Sequence, residues 1–211
     1  MLPLKVGDVV LAVDGRKIAN NGNIRLADGQ PRYFSTVISA KQIGETVKVE
    51  LLRDGKVLTF DMPVQKTNDQ VEPYLYDKRP EYFIIGGLVF TRLTSSYLLT
   101  FGSNTPPIAM IEKLKDVKDS PDDNVVVLTQ VLGDEVNVGY QNFDSMVLVS
   151  INGKKVHNLR EAVELVESCK DEYITFEFED DIPVTLNIGK LREATPRILE
   201  RYHITADRFF E

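Results

Sequence analysis

The chain has 211 residues, 43% of them hydrophobic and 27% charged, a balance typical of globular proteins and enough for one large or two small domains. The formal net charge of −7 argues against nucleic-acid binding, because a phosphate backbone would on average be repelled. No stretch approaches the roughly 20 apolar residues of a membrane-spanning helix, and a single cysteine, Cys169, excludes an internal disulfide. That cysteine usage is consistent with a reducing intracellular compartment, and residues 1–5 contain no targeting segment.

The first 66 residues predict a small module of strands with one helix. Residues 9–13 alternate apolar and other side chains and end at Asp14-Gly15, which predicts a strand followed by a turn. Residues 33–43 have helical apolar spacing, with Gly44 as the expected C-cap. A hairpin over residues 47–64 completes the module.

Residues 67–80 are polar and contain Pro73 and Pro80, which indicates a linker between two domains. Three residues in this stretch, Tyr74, Leu75 and Tyr76, would nevertheless prefer burial. We expect the second module to occupy residues 81–211.

The sequence of the second module predicts strands and helices in alternation. Gly86-Gly87 interrupts an apolar strand over residues 82–90, so either the strand bulges there or another group approaches its backbone closely. The remaining expected elements are an amphipathic helix at 108–117, strands at 125–131 and 143–151, a helix at 159–170, a hairpin at 174–188 and a helix at 191–202.

An internal repeat relates the two modules. Residues 10–18 align with residues 148–156, and each copy combines a strand, an Asp-Gly or Asn-Gly turn, a basic pair and an aliphatic residue. A helix and a hairpin follow in both copies. Nothing before Leu4 matches the segment 81–142 that precedes the second copy, so we expect the other half of the first module to lie upstream or to be absent.

The run from Leu4 to Ile18, LKVGDVVLAVDGRKI, resembles the strand-turn motif of PDZ domains in HtrA/Deg serine proteases. The segment GGLVF at 86–90, residues 128–140 and residues 149–156 resemble the second PDZ domain of the plant-type Deg subgroup. The resemblance implies an α+β fold of two PDZ-like modules, each a small, partly open antiparallel barrel or sandwich edged by helices. It also implies a protease domain N-terminal to residue 1.

A PDZ-type site needs backbone N–H groups for a peptide carboxylate and an open strand edge for peptide addition. The resemblance places the carboxylate loop at Ile85, Gly86, Gly87 and Leu88, and the strand that would receive the peptide at 88–93. The groove residues expected between that strand and the helix at 159–170 are Val89, Phe90, Leu159, Ala162, Val163 and Val166.

Two other interpretations of this region are open. Gly86-Gly87 can be a bulge without a ligand, and the insertion 91–124 can cover the groove. A covered groove would make the region a structural oligomerisation module whose grooves are closed by its own residues.

No catalytic or metal-binding motif accompanies the resemblance. No serine lies in a Gly-x-Ser-x-Gly context, and we expect His157 and His203 to be solvated and Cys169 to be a small core residue. The acidic runs 119–123 and 177–181 lack calcium-loop spacing, and residues 133–137 are expected to form a structural turn.

The sequence therefore predicts a non-catalytic, peptide-binding and assembly region of a Deg-like endopeptidase. The expected partners are extended or unfolded peptide segments and other subunits of the same protein, with no cofactor, metal, nucleic acid or membrane span. Surplus apolar residues, Phe209 and Phe210 among them, point to self-association.

Overall fold

The computed structural model describes residues 4–26, 29–65, 68–72, 74 and 77–211. The chain separates into two compact units, residues 1–67 and residues 68–211. Part of the expected linker belongs to the second unit, because Val71 is buried there and Glu72 forms an isolated bridge with Thr94. Tyr74 is exposed, whereas Pro73, Leu75 and Tyr76 lie outside the described residues.

The first unit is built on a four-stranded antiparallel sheet in the order β2-β1-β5-β6, with β3 and β4 as a separate two-stranded ribbon. Its elements are β1 Val9–Val13, β2 Arg16–Lys17, β3 Asn23–Arg25, β4 Pro31–Tyr33, α1 Ser35–Ser39, β5 Thr46–Arg53 and β6 Lys56–Pro63. The core between them consists of Val13, Ile24, Val37, Val47 and Val49.

The helix of the first unit is shorter than the sequence predicts. Only Ser35–Ser39 is helical, and Tyr33 belongs to β4 instead. The expectation that Gly44 caps this helix is wrong: its N–H donates to the carbonyl oxygen of Val64 at 2.9 Å and so closes the base of the β5–β6 hairpin. Pairing with a distant strand overrides the local helical spacing here.

The second unit is built on an eight-stranded sheet whose main path runs β13-β12-β10-β9-β8-β7-β14, with β11 paired to β10. Its strands are β7 Tyr82–Ile85, β8 Leu88–Arg92, β9 Val126–Val131, β10 Met146–Ile151, β11 Lys154–Lys155, β12 Tyr173–Phe178, β13 Ile182–Asn187 and β14 Arg208–Phe209. Its helices are α2 Ser95–Leu99, α3 Ile108–Glu112, α4 Leu159–Ser168 and α5 Ile188–Arg201. None of the helices in the described part of the chain is long and apolar enough to cross a membrane.

The two faces of this sheet pack against different elements. Along β9, Val126 and Leu128 belong to the large core that includes the apolar side of α4, whereas Val127 belongs to a second cluster with Leu93 and Met110. Successive strand residues point to opposite faces, so the insertion after β8 covers the face opposite α4. The insertion therefore does not cover the expected groove.

The helix expected at 108–117 is also shorter, and a different residue of it is buried. The α-helix spans Ile108–Glu112, and a single 3-10 turn, Lys113–Lys115, follows it. The apolar face expected from the sequence consists of Ile108, Ile111 and Leu114. Met110 is fully buried instead, whereas Ile108 and Leu114 are exposed. The apolar spacing predicted that a helix is present but not which of its residues are buried.

The internal repeat is confirmed down to individual hydrogen bonds. Asp14 and Asn152 both have positive φ at the start of a two-residue turn, and each exchanges two bonds with the neighbouring strand. Asp14 N donates to Lys48 O and its carboxylate accepts from Lys48 N, both at 2.8 Å. Asn152 does the same with Thr175, at 2.8 and 2.7 Å. Two copies of one module therefore occupy the chain.

Candidate peptide-binding groove

Gly86 and Gly87 form the turn of a hairpin. β7 and β8 pair antiparallel from Tyr82↔Thr91 to Ile85↔Leu88, which leaves only the two glycines between them. Both have positive φ, +55° and +89°, as a type I′ turn requires, and Gly-Gly is one of the dipeptides that favour it. The prediction of one strand across residues 82–90 is therefore wrong, because the chain reverses at its midpoint.

Side chains from two other elements hold this turn. The N–H of Gly86 donates to Thr195 Oγ1 of α5 at 2.8 Å. The Nδ2 group of Asn137 donates to the carbonyl oxygens of Gly86 and Leu132, both at 2.8 Å. Asn137 is fully buried. The N–H of Gly86, one residue of the expected carboxylate loop, is therefore already bonded within the protein.

Packing around the turn leaves no room for side chains. A Cβ added to Gly86 would lie 2.1 Å from Leu191 Cδ2, and one added to Gly87 would lie 2.3 Å from the carbonyl oxygen of Leu132. Real Cβ atoms do not approach other atoms this closely. The close backbone approach expected at these glycines exists, but the approaching groups belong to the same chain.

An ion pair supports the segment that carries Asn137. The carboxylate of Asp134, whose side chain is 1% exposed, pairs with Arg197 and, at 3.2 Å, with Arg201 of α5. The adjacent Arg197 guanidinium lowers the pKa of the Asp134 carboxyl below its ordinary value. Asp134 Oδ1 also accepts from Val136 N at 3.3 Å. The segment 133–137 is thus a structural support of the glycine turn, as its expected structural role implies.

The strand expected to receive a peptide has no free edge. β8 pairs with β7 on one side and with β9 on the other, the latter from Leu88↔Val131 to Arg92↔Val126. β7 lies antiparallel beside β8 on the edge where an added peptide strand would pair. The expectation of an open edge at 88–93 is therefore wrong, because β7 of the same chain pairs there.

Most of the expected groove residues lie in the core instead of a pocket. Five of them are at most 5% exposed and belong to one apolar cluster: Phe90, Leu159, Ala162, Val163 and Val166. Phe90 stacks on Phe176 with ring centroids 5.3 Å apart. Val89 packs with a different cluster, which includes Ile84 and Ile198, on the opposite face.

Comparisons with known proteins identify both modules. A family model described as "PDZ domain" matches residues 71–209, and a second PDZ-domain model matches residues 2–64. The chain belongs to the PDZ-domain family. The first match ends before the polar segment 67–80, and the second begins within it, at residue 71.

Similar full-length proteins are named as proteases. The chain is 33% identical over 95% of its length to "Protease Do-like 4, mitochondrial" of Arabidopsis thaliana, of which the match covers 37%. It is 31% identical, again over 95% of its length, to "Putative protease Do-like 3, mitochondrial" of the same plant, with 35% of that protein covered. It is 34% identical over 79% of its length to "Serine protease DegP homolog" of Plasmodium falciparum (isolate 3D7), with 19% covered. The chain thus spans about a third of the length of the plant relatives.

Three residues of the second PDZ domain, His157, His203 and Cys169, were considered as possible catalytic residues from the sequence. His157 Nδ1 lies 2.9 Å from a Glu161 carboxylate oxygen near the start of α4, and His203 is exposed. Cys169 is buried in the core of the PDZ domain, as expected for a small apolar residue. These surroundings offer no nucleophile-base pair.

Sequence reasoning missed two features of this PDZ domain. One is the pair Asn137 and Thr195, which bond to Gly86 from segments distant in sequence. The other is β14, which pairs with β7 at Arg208↔Phe83 and Phe209↔Tyr82. The terminal aromatic residues are accordingly half-buried rather than a free surface, which removes them as a reason for self-association. The two aromatic residues Phe209 and Phe210, of a type enriched in strands, were the available signal for a short strand.

Proposed function

We propose that the chain is the non-catalytic regulatory and assembly region of a Deg-type serine endopeptidase. In the second PDZ domain, β7 occupies the position of a bound peptide beside β8. The domain therefore contributes a fixed surface for assembly and regulation rather than capturing peptide C-termini at Gly86 and Gly87.

One observation carries this proposal: β8 is paired along both edges, and the strand beside it is joined to it by a two-residue turn. PDZ domains bind peptides by adding them to an open strand edge. A strand tied in through such a turn leaves that edge only if the hairpin unfolds. The relatives named as proteases supply the endopeptidase context.

The competing function is capture of peptide C-termini at the glycine turn. A titration of labelled C-terminal peptides, as free acids and as amides, separates the two, with the backbone amide signals of Gly86 and Gly87 followed by NMR. We expect neither form to shift these signals. A free-acid peptide that shifts both signals, while its amide does not, would establish the carboxylate site and contradict the closed groove.

Two further measurements address assembly and catalysis. Sedimentation velocity over rising concentrations of the 211-residue chain is expected to show self-association, and strictly monomeric behaviour would count against the assembly role. A fluorophosphonate probe is expected to label no serine, since no serine lies in a hydrolase motif. Labelling that a single serine substitution abolishes would show the non-catalytic assignment to be wrong.

A further inference from the structure

Because β7 pairs with the edge of β8, the opposite edge of β7 becomes the next edge at which a strand can pair. That edge lies beside α4, and in the described part of the chain it carries the short strand β14, which pairs at two positions. One more backbone bond extends the pairing, from Ile84 N to Asp207 O at 2.6 Å. β7 and β8, by comparison, pair at four positions. The last strand of the chain is thus an added strand with a short ladder.

Arg208 of this segment contacts a carboxylate and an aromatic ring. Arg208 Nη1 donates to a Glu167 carboxylate oxygen of α4 at 2.7 Å, and its guanidinium lies 5.3 Å from the ring centroid of Phe83 in β7. The two carboxylates beside it, Asp207 and Glu167, raise the pKa of Arg208. The site therefore favours a basic side chain at this position.

The two residues that follow β14's Phe209 are also held by side chains of the groove walls. Phe210 packs against the main core, with the Arg160 guanidinium 4.6 Å from its ring centroid. Glu211 forms a 2.8 Å ion pair with Lys78, and its N–H donates to Glu81 at 3.2 Å. The site therefore accepts an aromatic residue followed by an acidic one.

A cavity lies next to the preceding residues of the segment. It has a volume of about 480 Å³ and is lined by Ala206, by Phe83 and Ile85 of β7, and by Val166 and Leu199 of the two helices. A volume of this size is within the range of pockets that hold ligand groups. The methyl group of Ala206 leaves this cavity unfilled, so the resident segment does not use all the binding surface present.

We propose that the outer edge of β7, together with α4, is a strand-addition site for extended peptides with a basic residue, an aromatic residue two positions later and an acidic residue directly after it. Residues 205–211 are the occupant of this site in the resting protein. A ligand with a larger apolar side chain at the position of Ala206 also fills the cavity and binds more tightly than the resident sequence. This inference goes beyond the assembly role, because it assigns a ligand class to the outer edge of β7, which is distinct from the closed groove at β8.

Exchange of the resident segment is physically reasonable. Its ion pairs, Arg208 to Glu167 and Lys78 to Glu211, involve side chains that are between one third and three fifths exposed, and such pairs contribute little to stability. Phe210 is half-buried. Besides these ion pairs, the occupant is held by a short ladder, by two cation–π contacts and by the Glu211 N–H bond to Glu81.

The test uses the whole chain with its resident segment weakened by Arg208→Ala and Phe210→Ala. A fluorescent peptide copying residues 205–211 is titrated onto this variant and onto the unmodified chain, with anisotropy as the readout. We expect binding to the variant at least about tenfold tighter than to the unmodified chain, because the intact segment competes. A scrambled peptide of the same composition is the matched control.

Charge exchange tests whether Glu167 sets specificity. A peptide with Glu in place of Arg208 is expected to bind the weakened variant about tenfold less tightly. Adding Glu167→Arg to the protein is expected to restore the binding of that peptide and to weaken the binding of the original peptide. A peptide with Leu in place of Ala206 is expected to bind more tightly than the original.

Several results would overturn the inference. If no peptide binds the weakened variant, the edge is not a strand-addition site, and the closed groove at β8 stands unaffected. If all peptides bind equally, or Glu167→Arg changes nothing, the proposed ligand class is wrong. If the unmodified chain is a dimer that the peptide dissociates, the occupant comes from a second copy and not from the same chain.

A folding control keeps the test decisive. The weakened variant is first checked by its NMR fingerprint. If it does not fold, two other proteins replace it. One carries Arg208→Glu alone, and the other carries Arg208→Glu together with Glu167→Arg in the same chain. Restoration of the melting temperature by the second change supports the charge contact, and failure of that restoration contradicts it.

Discussion

The side-chain amide of Asn137 donates to the carbonyl oxygen of Gly86 at 2.8 Å. The same amide reaches the carbonyl oxygen of Leu132, also at 2.8 Å, and its oxygen accepts from Asp134 N at 2.9 Å. One fully buried side chain thus joins the glycine turn to the segment after β9. The closed form of the second PDZ domain depends on this residue.

Asn137→Asp keeps the shape and the acceptor oxygen but replaces the donor by a second acceptor. Two buried carbonyl oxygens then lose their partner, and we expect the free energy of unfolding at neutral pH to fall by about 2–4 kcal/mol. Urea denaturation measures the change. Asn104→Asp, at an exposed position, is the control and should change stability by less than about 0.5 kcal/mol. Equal effects at both positions would contradict the role assigned to Asn137.

Gly87→Ala is expected to destabilise the second PDZ domain more than Gly153→Ala does. Both glycines have positive φ, but a Cβ at Gly153 meets nothing within 4 Å, whereas one at Gly87 lies 2.3 Å from Leu132 O. Gly153→Ala should cost about 1–2 kcal/mol from backbone strain alone. Gly87→Ala adds a steric clash with main-chain atoms to that strain. Similar unfolding midpoints for the two variants would show that the turn is not closed by packing.

Acid should weaken the protein partly through Asp134. Arg197 lowers the pKa of this carboxyl in the folded state, so its contribution is present above the ordinary pKa of aspartate and is lost as the pH falls through the folded-state value. The difference in urea midpoint between the unmodified chain and Asp134→Asn is therefore expected to shrink below about pH 4. A difference that stays constant from pH 7 to about pH 3 would contradict the ion pair's contribution.

Phe90→Ala distinguishes a core residue from a groove residue. The side chain is 1% exposed and stacks on Phe176, so its removal should cost about 3–5 kcal/mol. Tyr173, 53% exposed, supplies the comparison: Tyr173→Ala should cost about 1 kcal/mol or less. Calorimetric melting temperatures provide the readout. A Phe90→Ala variant as stable as Tyr173→Ala would mean that Phe90 lines an open pocket.

The sequence predicted the repeat and α4 well because their signals are local. Asp14-Gly15 and Asn152-Gly153 specify two-residue turns by themselves. The apolar spacing from Leu159 to Val166 defines one buried face of α4, and these residues are buried. Both features follow from neighbours within a few positions along the chain.

The closure of the groove could not be predicted in this way. Apolar residues on both sides of Gly86 and Gly87 are consistent with one continuous strand as well as with two paired ones. Which alternative forms is decided by Asn137, Thr195 and Leu191, which come from distant parts of the sequence and fix the turn. The Gly-Gly pair was the one local indication of a reversal.

The two-residue turn between β7 and β8 also determines what can regulate this groove. A ligand tethered through so short a linker has an effective local concentration that is set by geometry and does not change on dilution. Occupancy of the β8 edge is therefore the same in a single protomer as in an assembly, whatever the supply of free peptide. The protein therefore cannot use this groove to sense how much peptide surrounds it. It can respond there only to events that break the bonds of Gly86 itself.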